Sequence, residues 1–187
     1  MRLISIVACA ALVLSCGGSD APVQRIGGVP FTARDATAGV VSLSALGIAA
    51  VQGSTAVIGI SSVTSLCSRL AAGKEAKSAQ YLVLAPFRLQ PDRSTIPPPA
   101  PGIYVVGGLA IDNAVAVFST TDATCVPVAA NTVRATSGQI NLTAVGSRYT
   151  GSYDLNFGAD HVTGNFDAPV CAGVDPIAVG QGSLACE

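Results

Sequence analysis

The stretch TGSYDLNFGADHVTGNFDAPVC, residues 150–171, contains one pattern twice, from Thr150 to Asp154 and again from Thr163 to Asp167. In both copies a threonine, a glycine, a small polar residue, an aromatic residue and an aspartate follow one another. Because successive side chains of a β-strand point to opposite faces, the glycines and rings share one face and the threonines and aspartates share the other. The pattern therefore predicts two half-buried strands.

Gly158 and Ala159 lie between the two copies. They are predicted to form a two-residue type II′ turn, since glycine adopts the positive φ that the first position requires. This turn fixes the register, and each glycine of the repeat then faces a ring of the other strand. The pairs are Tyr153 with Gly164 and Phe166 with Gly151. Each ring covers backbone that glycine leaves bare, so the repeat is interpreted as a packing device.

A second turn of the same kind is predicted one hairpin earlier, at Gly146 and Ser147. It extends the hairpin to a three-stranded meander from about Thr136 to Ala168. The pairs that this turn predicts are Ala144 with Tyr149, Leu142 with Gly151 and Ile140 with Tyr153.

The polar face of the hairpin carries three residues that could bind a metal ion or act in hydrolysis: Asp154, Asp167 and His161, the only histidine of the chain. In the predicted register the two carboxylates lie about 13 Å apart along the sheet, too far for one Ca²⁺ ion to bridge. A slipped register, with residues 158–161 as the loop, would bring them to about 7 Å. A Ca²⁺-binding or hydrolytic protein that uses this face is therefore the alternative functional interpretation.

One segment has the apolar spacing of a helix. Its apolar residues are Val63, Leu66, Cys67 and Leu70. Ser61 or Ser62 is the predicted N-cap and Gly73 the residue after the helix end. The proline-rich segment at residues 90–102 is predicted to be an exposed loop.

Hydrophobic residues make up 50% of the chain and charged residues 11%. Several further segments show the partial apolar alternation of strands. We therefore predict an all-β fold: a two-sheet antiparallel β-sandwich of about eight or nine strands with one short α-helix. A closed β-barrel is the alternative, because a late meander suits either architecture.

The N-terminus has the layout of an export signal. One basic residue, Arg2, precedes an apolar run that is too short to span a bilayer. The end of this run, Val13-Leu14-Ser15-Cys16, resembles a bacterial lipobox, in which the cysteine is lipidated. We expect residues 1–15 to be a lipoprotein signal peptide, 16–29 a lipidated flexible tether, and 30–187 a single β-domain.

A lipid on Cys16 would place the protein at the bacterial cell envelope, anchored to a membrane. Gly17, where some lipoproteins have aspartate, favours the outer membrane by resemblance to the best-known sorting system. An ordinary secreted protein that is cleaved elsewhere is the alternative.

Four cysteines remain when Cys9 leaves with the signal peptide and Cys16 carries the lipid. They are Cys67, Cys125, Cys171 and Cys186. An even number in an exported protein predicts two disulfides, with three connectivities open. We favour Cys67 with Cys125 and Cys171 with Cys186, the second of which would fasten the C-terminus to the sheet. A zinc site is the alternative, but no pair has Cys-x-x-Cys spacing.

Composition and motifs exclude several functional classes. The formal net charge is −1 and no basic patch occurs, which argues against nucleic acid as a partner. No nucleophile motif accompanies His161, and the chain has no tryptophan to stack on a sugar ring. We predict no enzyme, no catalytic residue, no metal site and no cofactor. What remains is a binding, scaffolding or envelope-associated domain, with the membrane and an envelope protein as candidate partners and no small-molecule ligand identified.

The run from Ser137 to Cys171, together with the lipobox and the segment SSVTSLCSRLAAG, resembles a group of uncharacterised bacterial lipoproteins. The most specific shared feature is a C-terminal Gly-x-aromatic hairpin that ends in cysteine. The resemblance implies an exported, disulfide-linked β-fold and carries no known activity.

Overall fold

The computed structural model describes residues 24–42, 52–98, 100–108, 110–172 and 184–187. Regular structure in these ranges is almost entirely β-strand, so the predicted all-β class is confirmed. No helix within them is long and apolar enough to cross a membrane. The expected signal peptide and Cys16 lie outside the described residues.

Strands occur throughout the described residues, together with one short helix. The strands of the first half are β1 (Gln24–Ile26), β2 (Val29–Phe31), β3 (Asp35–Ser42), β4 (Gln52–Ser61), β5 (Lys74–Glu75), β6 (Gln80–Leu89) and β7 (Ser94–Ile96). Those of the second half are β8 (Gly102–Val106), β9 (Asp112–Thr120), β10 (Val133–Arg134), β11 (Ser137–Ala144), β12 (Arg148–Phe157), β13 (Asp160–Pro169) and β14 (Ala185–Cys186). The helix α1 spans Leu66–Ala71, and a single 3-10 turn spans Ala129–Asn131.

Ten strands form one mixed sheet in the order β13-β12-β11-β8-β9-β6-β7-β4-β3, with β10 beside β9. The two end strands meet at one point, where Ala38 in β3 forms a parallel bridge with Val170, just after β13. The Cys171 N–H donates to the Ala38 carbonyl over 2.9 Å. The sheet is therefore nearly closed into a barrel.

This architecture corresponds to the alternative that the sequence left open, not to two separate sheets. β6 pairs with β4 on one side and with β9 on the other, and β8 joins the meander to β9, so no break divides the sheet. Sequence periodicity does not distinguish the two cases, because a sandwich and a barrel both bury alternate side chains.

β12 and β13 form the predicted hairpin in the predicted register. Phe157 pairs with Asp160 around the two-residue turn, in which Gly158 has a φ of 65°. Both glycine–aromatic pairs occur; they are Tyr153 with Gly164 and Phe166 with Gly151. The predicted register and both predicted pairs are confirmed.

β11 completes the predicted meander, with one irregularity. Two of the three predicted pairs occur; they are Ile140 with Tyr153 and Leu142 with Gly151. Ala144 pairs with Thr150, so the predicted pair of Ala144 with Tyr149 is wrong. The register shifts within β11 after Leu142, and such a β-bulge leaves no mark on the alternating pattern of the sequence.

The rings and glycines of the hairpin are in direct contact. A Cβ added at Gly164 would overlap the Tyr153 ring, and one added at Gly151 would overlap the Asn141 carbonyl and lie 3.0 Å from the Phe166 ring. Tyr153 is 5% exposed and Phe166 is 6% exposed, and both belong to the main core cluster. Glycine is therefore required at both positions by the rings and backbone that pack there.

The helix begins later than predicted and has a different cap. Ser61 and Ser62 are wrong as N-caps, because Ser61 is the last residue of β4 and the helix begins at Leu66. The Leu66 N–H donates instead to the Asp35 carboxylate over 2.7 Å. Gly73 follows the helix with a φ of 65°, as predicted.

The four cysteines form two disulfides, as predicted, but the favoured connectivity is wrong. Cys67 pairs with Cys171 and Cys125 pairs with Cys186, with Cα–Cα distances of 5.8 and 5.4 Å. The reason is the path of the chain. The helix lies against β3, where β13 also ends, whereas β14 pairs with β5, next to which Cys125 lies.

The boundary of the predicted tether is also corrected. Residues 24–29 do not belong to a tether, because β1 and β2 form a hairpin in which Gln24 pairs with Phe31 and Ile26 with Val29. Ile26 is fully buried in the main core. Residues 16–23 lie outside the described residues.

Replacing Phe166 by alanine tests the packing of the repeat. We expect Phe166→Ala to lower the free energy of unfolding by about 3–5 kcal/mol, because a buried ring is lost and Gly151 is uncovered. Chemical denaturation measures this, with Ser152→Ala on the opposite face as the matched control at about 0.5 kcal/mol or less. A loss below about 1 kcal/mol for Phe166→Ala would contradict the packing scheme.

Disulfide mapping tests the corrected connectivity. Digestion of the unreduced, thiol-blocked protein should give linked peptides that contain Cys67 with Cys171 and Cys125 with Cys186. The double variant Cys67→Ala, Cys171→Ala should lose about 4 kcal/mol of stability, because that bond closes a loop with a sequence separation of 104. A linked peptide that joins Cys67 to Cys125 contradicts the connectivity.

Candidate functional site

The polar face of the β12–β13 hairpin separates the residues that were candidates for a metal site. Asp154 contacts His161, with 2.7 Å between Oδ1 and Nε2, whereas Asp167 contacts Arg148 at 3.1 Å. The slipped register that would bring the two aspartates together is wrong, because each of them pairs with a threonine in the observed register. Within the ranges that the structure describes, no group of three or more His, Cys, Asp or Glu side chains could hold a metal ion.

The contact between His161 and Asp154 is an exposed acid–base pair. The two side chains are 57% and 53% exposed. Among the described residues, His161 has no other side-chain hydrogen bond, so no serine, threonine or cysteine is held against it as a nucleophile. The arrangement resembles two members of a catalytic triad without the third.

A second candidate site is a cleft that lies where the barrel fails to close. We call it the seam: residues 33–36, at the start of β3, and residues 165–167, on β13. Between them is an open cleft of about 270 Å³, and the buried side chain of Ile60 also lines it. The seam is therefore bordered by two strands that do not pair with each other along its length.

Both ends of the seam are held by specific contacts. At one end are the Ala38–Val170 bridge and the Cys67–Cys171 disulfide. At the other end the side chain of Gln24 binds the backbone of β13. The separation of the two strands is thus confined to a short length of edge.

The Gln24 contact shows which backbone groups face the seam. The Thr163 N–H donates to Gln24 Oε1 over 3.0 Å, and the Thr163 carbonyl accepts from Gln24 Nε2 over 2.7 Å. Because backbone groups point alternately to the two sides of an antiparallel strand, those of Asn165 and Asp167 point the same way as those of Thr163. Neither has a backbone partner among the described residues on that side.

The charged side chains of the seam differ in whether they have partners among the described residues. The Asp35 carboxylate accepts from the N–H groups of Ala36 and Leu66, and the Asp167 carboxylate is paired with Arg148. Arg34 is exposed, and its guanidinium makes no hydrogen bond or ion pair with any described residue. Within the described residues, the seam therefore presents a guanidinium with no hydrogen-bond partner beside two backbone positions that are unpaired on this side.

A buried carboxylate elsewhere has a structural setting. Glu75 is 1% exposed and lies in β5, beside the Cys125–Cys186 disulfide. Burial and, next, a hydrogen bond with Glu75 raise the pKa of the Tyr81 hydroxyl above its usual range. Tyr81 also belongs to the core cluster that includes Leu66 and Leu70 of the helix, so the pair has a structural setting.

Sequence reasoning did not identify the residues of the seam. Gln24 falls in the predicted tether, and neither Arg34 nor Asn165 is among the candidate residues. Only Asn165 carried a usable signal, since the correct register already places its backbone on the outer side of β13.

Amide hydrogen exchange tests the unpaired edge of β13. We expect the amides of Asn165 and Asp167 to exchange quickly, while those of Gly164 and Phe166, which face β12, exchange slowly. The Thr163 amide should be protected, and Gln24→Ala should remove that protection, with Gln139→Ala as an exposed glutamine control. Slow exchange at Asn165 and Asp167 in the unliganded protein would contradict the open edge.

Comparison with known proteins identifies no relative. No protein-family model, no curated protein sequence and no solved structure matches this chain. The resemblance to bacterial lipoproteins therefore stays a prediction.

Proposed function

We propose that this protein is a bacterial envelope lipoprotein whose β-domain binds or scaffolds a partner outside the cytoplasm, held at a membrane by a lipid on Cys16. The observation that carries the proposal is the use of cysteine. All four cysteines after Cys16 are joined in two disulfides, and disulfides persist in oxidising compartments. The lipobox-like sequence before Cys16 adds the means of anchoring.

The distance from the anchor to the folded domain supports a location close to the membrane. Gln24 in β1 binds the edge of β13 next to the seam, and it follows Cys16 by eight positions (24 − 16). Eight extended residues span about 30 Å at most. A lipid on Cys16 would therefore hold the seam within about that distance of the bilayer surface.

The seam supports binding as the activity of the domain. It combines an open cleft with backbone groups and a guanidinium that have no partner within the described ranges. The exposed pair of His161 and Asp154, by contrast, lacks a nucleophile among the described residues. The groups of the seam support the binding of a partner, whereas the His161–Asp154 pair does not make a complete set of groups for bond cleavage. We therefore propose neither an enzymatic activity nor a cofactor.

Metabolic labelling tests the anchor. Cells that express the protein are grown with an alkyne-tagged palmitate analogue, and the purified protein is examined for the tag. We expect the wild-type chain to be labelled and Cys16→Ser to be unlabelled. Cys9→Ser, in the expected signal peptide, is the matched control and should keep the label. A labelled Cys16→Ser protein, or an unlabelled wild type, contradicts the anchor.

A further inference from the structure

We propose that the seam binds an extended, acidic segment of another protein, which adds to β13 as a further strand. This inference rests on the proposed function, because it names the class of partner that the domain binds. It follows from the backbone groups, the limits and the charge of the seam.

The backbone groups call for a strand. Asn165 and Asp167 each present an N–H donor and a carbonyl acceptor on the side of β13 that faces away from β12. An added strand satisfies both donors and both acceptors, which is the basis of peptide recognition by β-strand addition. The Gln24 side chain already binds Thr163 in this way, with one donor and one acceptor.

β13 is the side of the seam that accepts the segment. On β3, the outward N–H of Ala36 is bonded to the Asp35 carboxylate, and the carbonyl of Ala38 accepts from Cys171. These groups are already satisfied, whereas those of Asn165 and Asp167 have no partner among the described residues. The segment therefore pairs with β13 and lies beside β3 without joining it.

The contacts at the two ends of the seam restrict the added strand to a short segment. Beyond Asp167, the carbonyl of Pro169 accepts from the Thr37 hydroxyl over 3.2 Å, and proline has no N–H to offer. Before Asn165, the Gln24 side chain is hydrogen-bonded to the backbone N–H and carbonyl of Thr163. The contact thus spans few residues, which excludes the long edge-to-edge pairing that leads to aggregation.

The charge and lining of the seam set the side chains of the segment. Alternate side chains of an added strand point toward the protein and toward solvent. The side chains that point inward contact Ile60 and Phe166, which line the cleft. Small apolar side chains are therefore favoured at those positions of the segment. The Arg34 guanidinium has no partner among the described residues, whereas the Asp35 and Asp167 carboxylates have theirs, so a carboxylate that reaches Arg34 is favoured among the other side chains.

A synthetic peptide tests this directly. The probe is a fluorescent peptide of about six residues, Val-Thr-Val-Glu-Val-Thr, the usual length of a strand. Binding to the full chain in detergent is followed by fluorescence anisotropy. We expect saturable binding, and we expect it to be lost for the same peptide with N-methylated amides, which cannot donate to the edge.

Two variants of Asn165 distinguish the contribution of its backbone N–H to peptide binding from that of its side chain. Asn165→Pro removes the outward N–H without removing a bond to β12, and proline is tolerated on edge strands. This variant should lower the affinity for the peptide by about three- to tenfold, which is the effect of losing one hydrogen bond. Asn165→Ala keeps the N–H and should bind like wild type. Equal affinity of the Asn165→Pro variant and of wild type overturns the proposal.

The charge is tested with a second pair of variants. Arg34→Glu should make a peptide with lysine in place of glutamate bind more tightly than the original, by about tenfold. Lys77→Glu makes the same charge change at an exposed residue outside the seam and should keep the preference for glutamate. The same peptide preference in the Arg34→Glu and Lys77→Glu variants overturns the role of Arg34.

Failure of this inference is distinct from failure of the proposed function. If Cys16 is lipidated and neither the acidic peptide nor its lysine form binds, strand addition is overturned and the anchored domain stands. If the N-methylated peptide binds as well as the original, the seam recognises side chains only, and strand addition is again overturned.

Discussion

The contact between the aromatic rings and the glycines of β12 and β13 is the constraint on which the rest of the structure depends. Tyr153 covers Gly164 and Phe166 covers Gly151, and any other register would place a ring against a side chain or leave a glycine bare. Because the side-chain period of a strand is two residues, a slip by one residue would turn the whole apolar face outward. The register also fixes which backbone groups of β13 face the seam.

The incomplete closure of the barrel follows from how β3 and β13 meet. They run parallel at the Ala38–Val170 bridge, and the Cys67–Cys171 disulfide holds the same place. Farther along the edge, the Asp35 carboxylate accepts from the N–H of Ala36, which faces β13, and from the N–H of Leu66, the first residue of the helix. One side chain thus caps the helix and occupies a β3 donor that would otherwise be available to β13.

The sequence was sufficient for the β12–β13 hairpin and insufficient for features that depend on distant parts of the chain. The β12–β13 register could be predicted, because a turn and an alternating pattern determine it within about twenty residues. The disulfide connectivity could not, since Cys67 and Cys171 meet only after the sheet curves. Gln24 was missed for the same reason: its partner, Thr163, is 139 positions away. The strand β7 was hidden inside a proline-rich segment whose composition indicates a loop.

An open strand edge needs a reason, because unpaired edges invite association with other chains. Here the edge is closed at Thr163 by the Gln24 side chain and at Pro169 by the Thr37 hydroxyl. Between them, the outward backbone groups of Asn165 and Asp167 have no partner in the part of the chain that the structure describes. If solubility alone were at issue, the contacts that protect Thr163 and Pro169 would be needed at Asn165 and Asp167 as well. The protection stops where the cleft begins and where Arg34 has no partner among the described residues, and these two coinciding features are the basis on which we infer a binding edge.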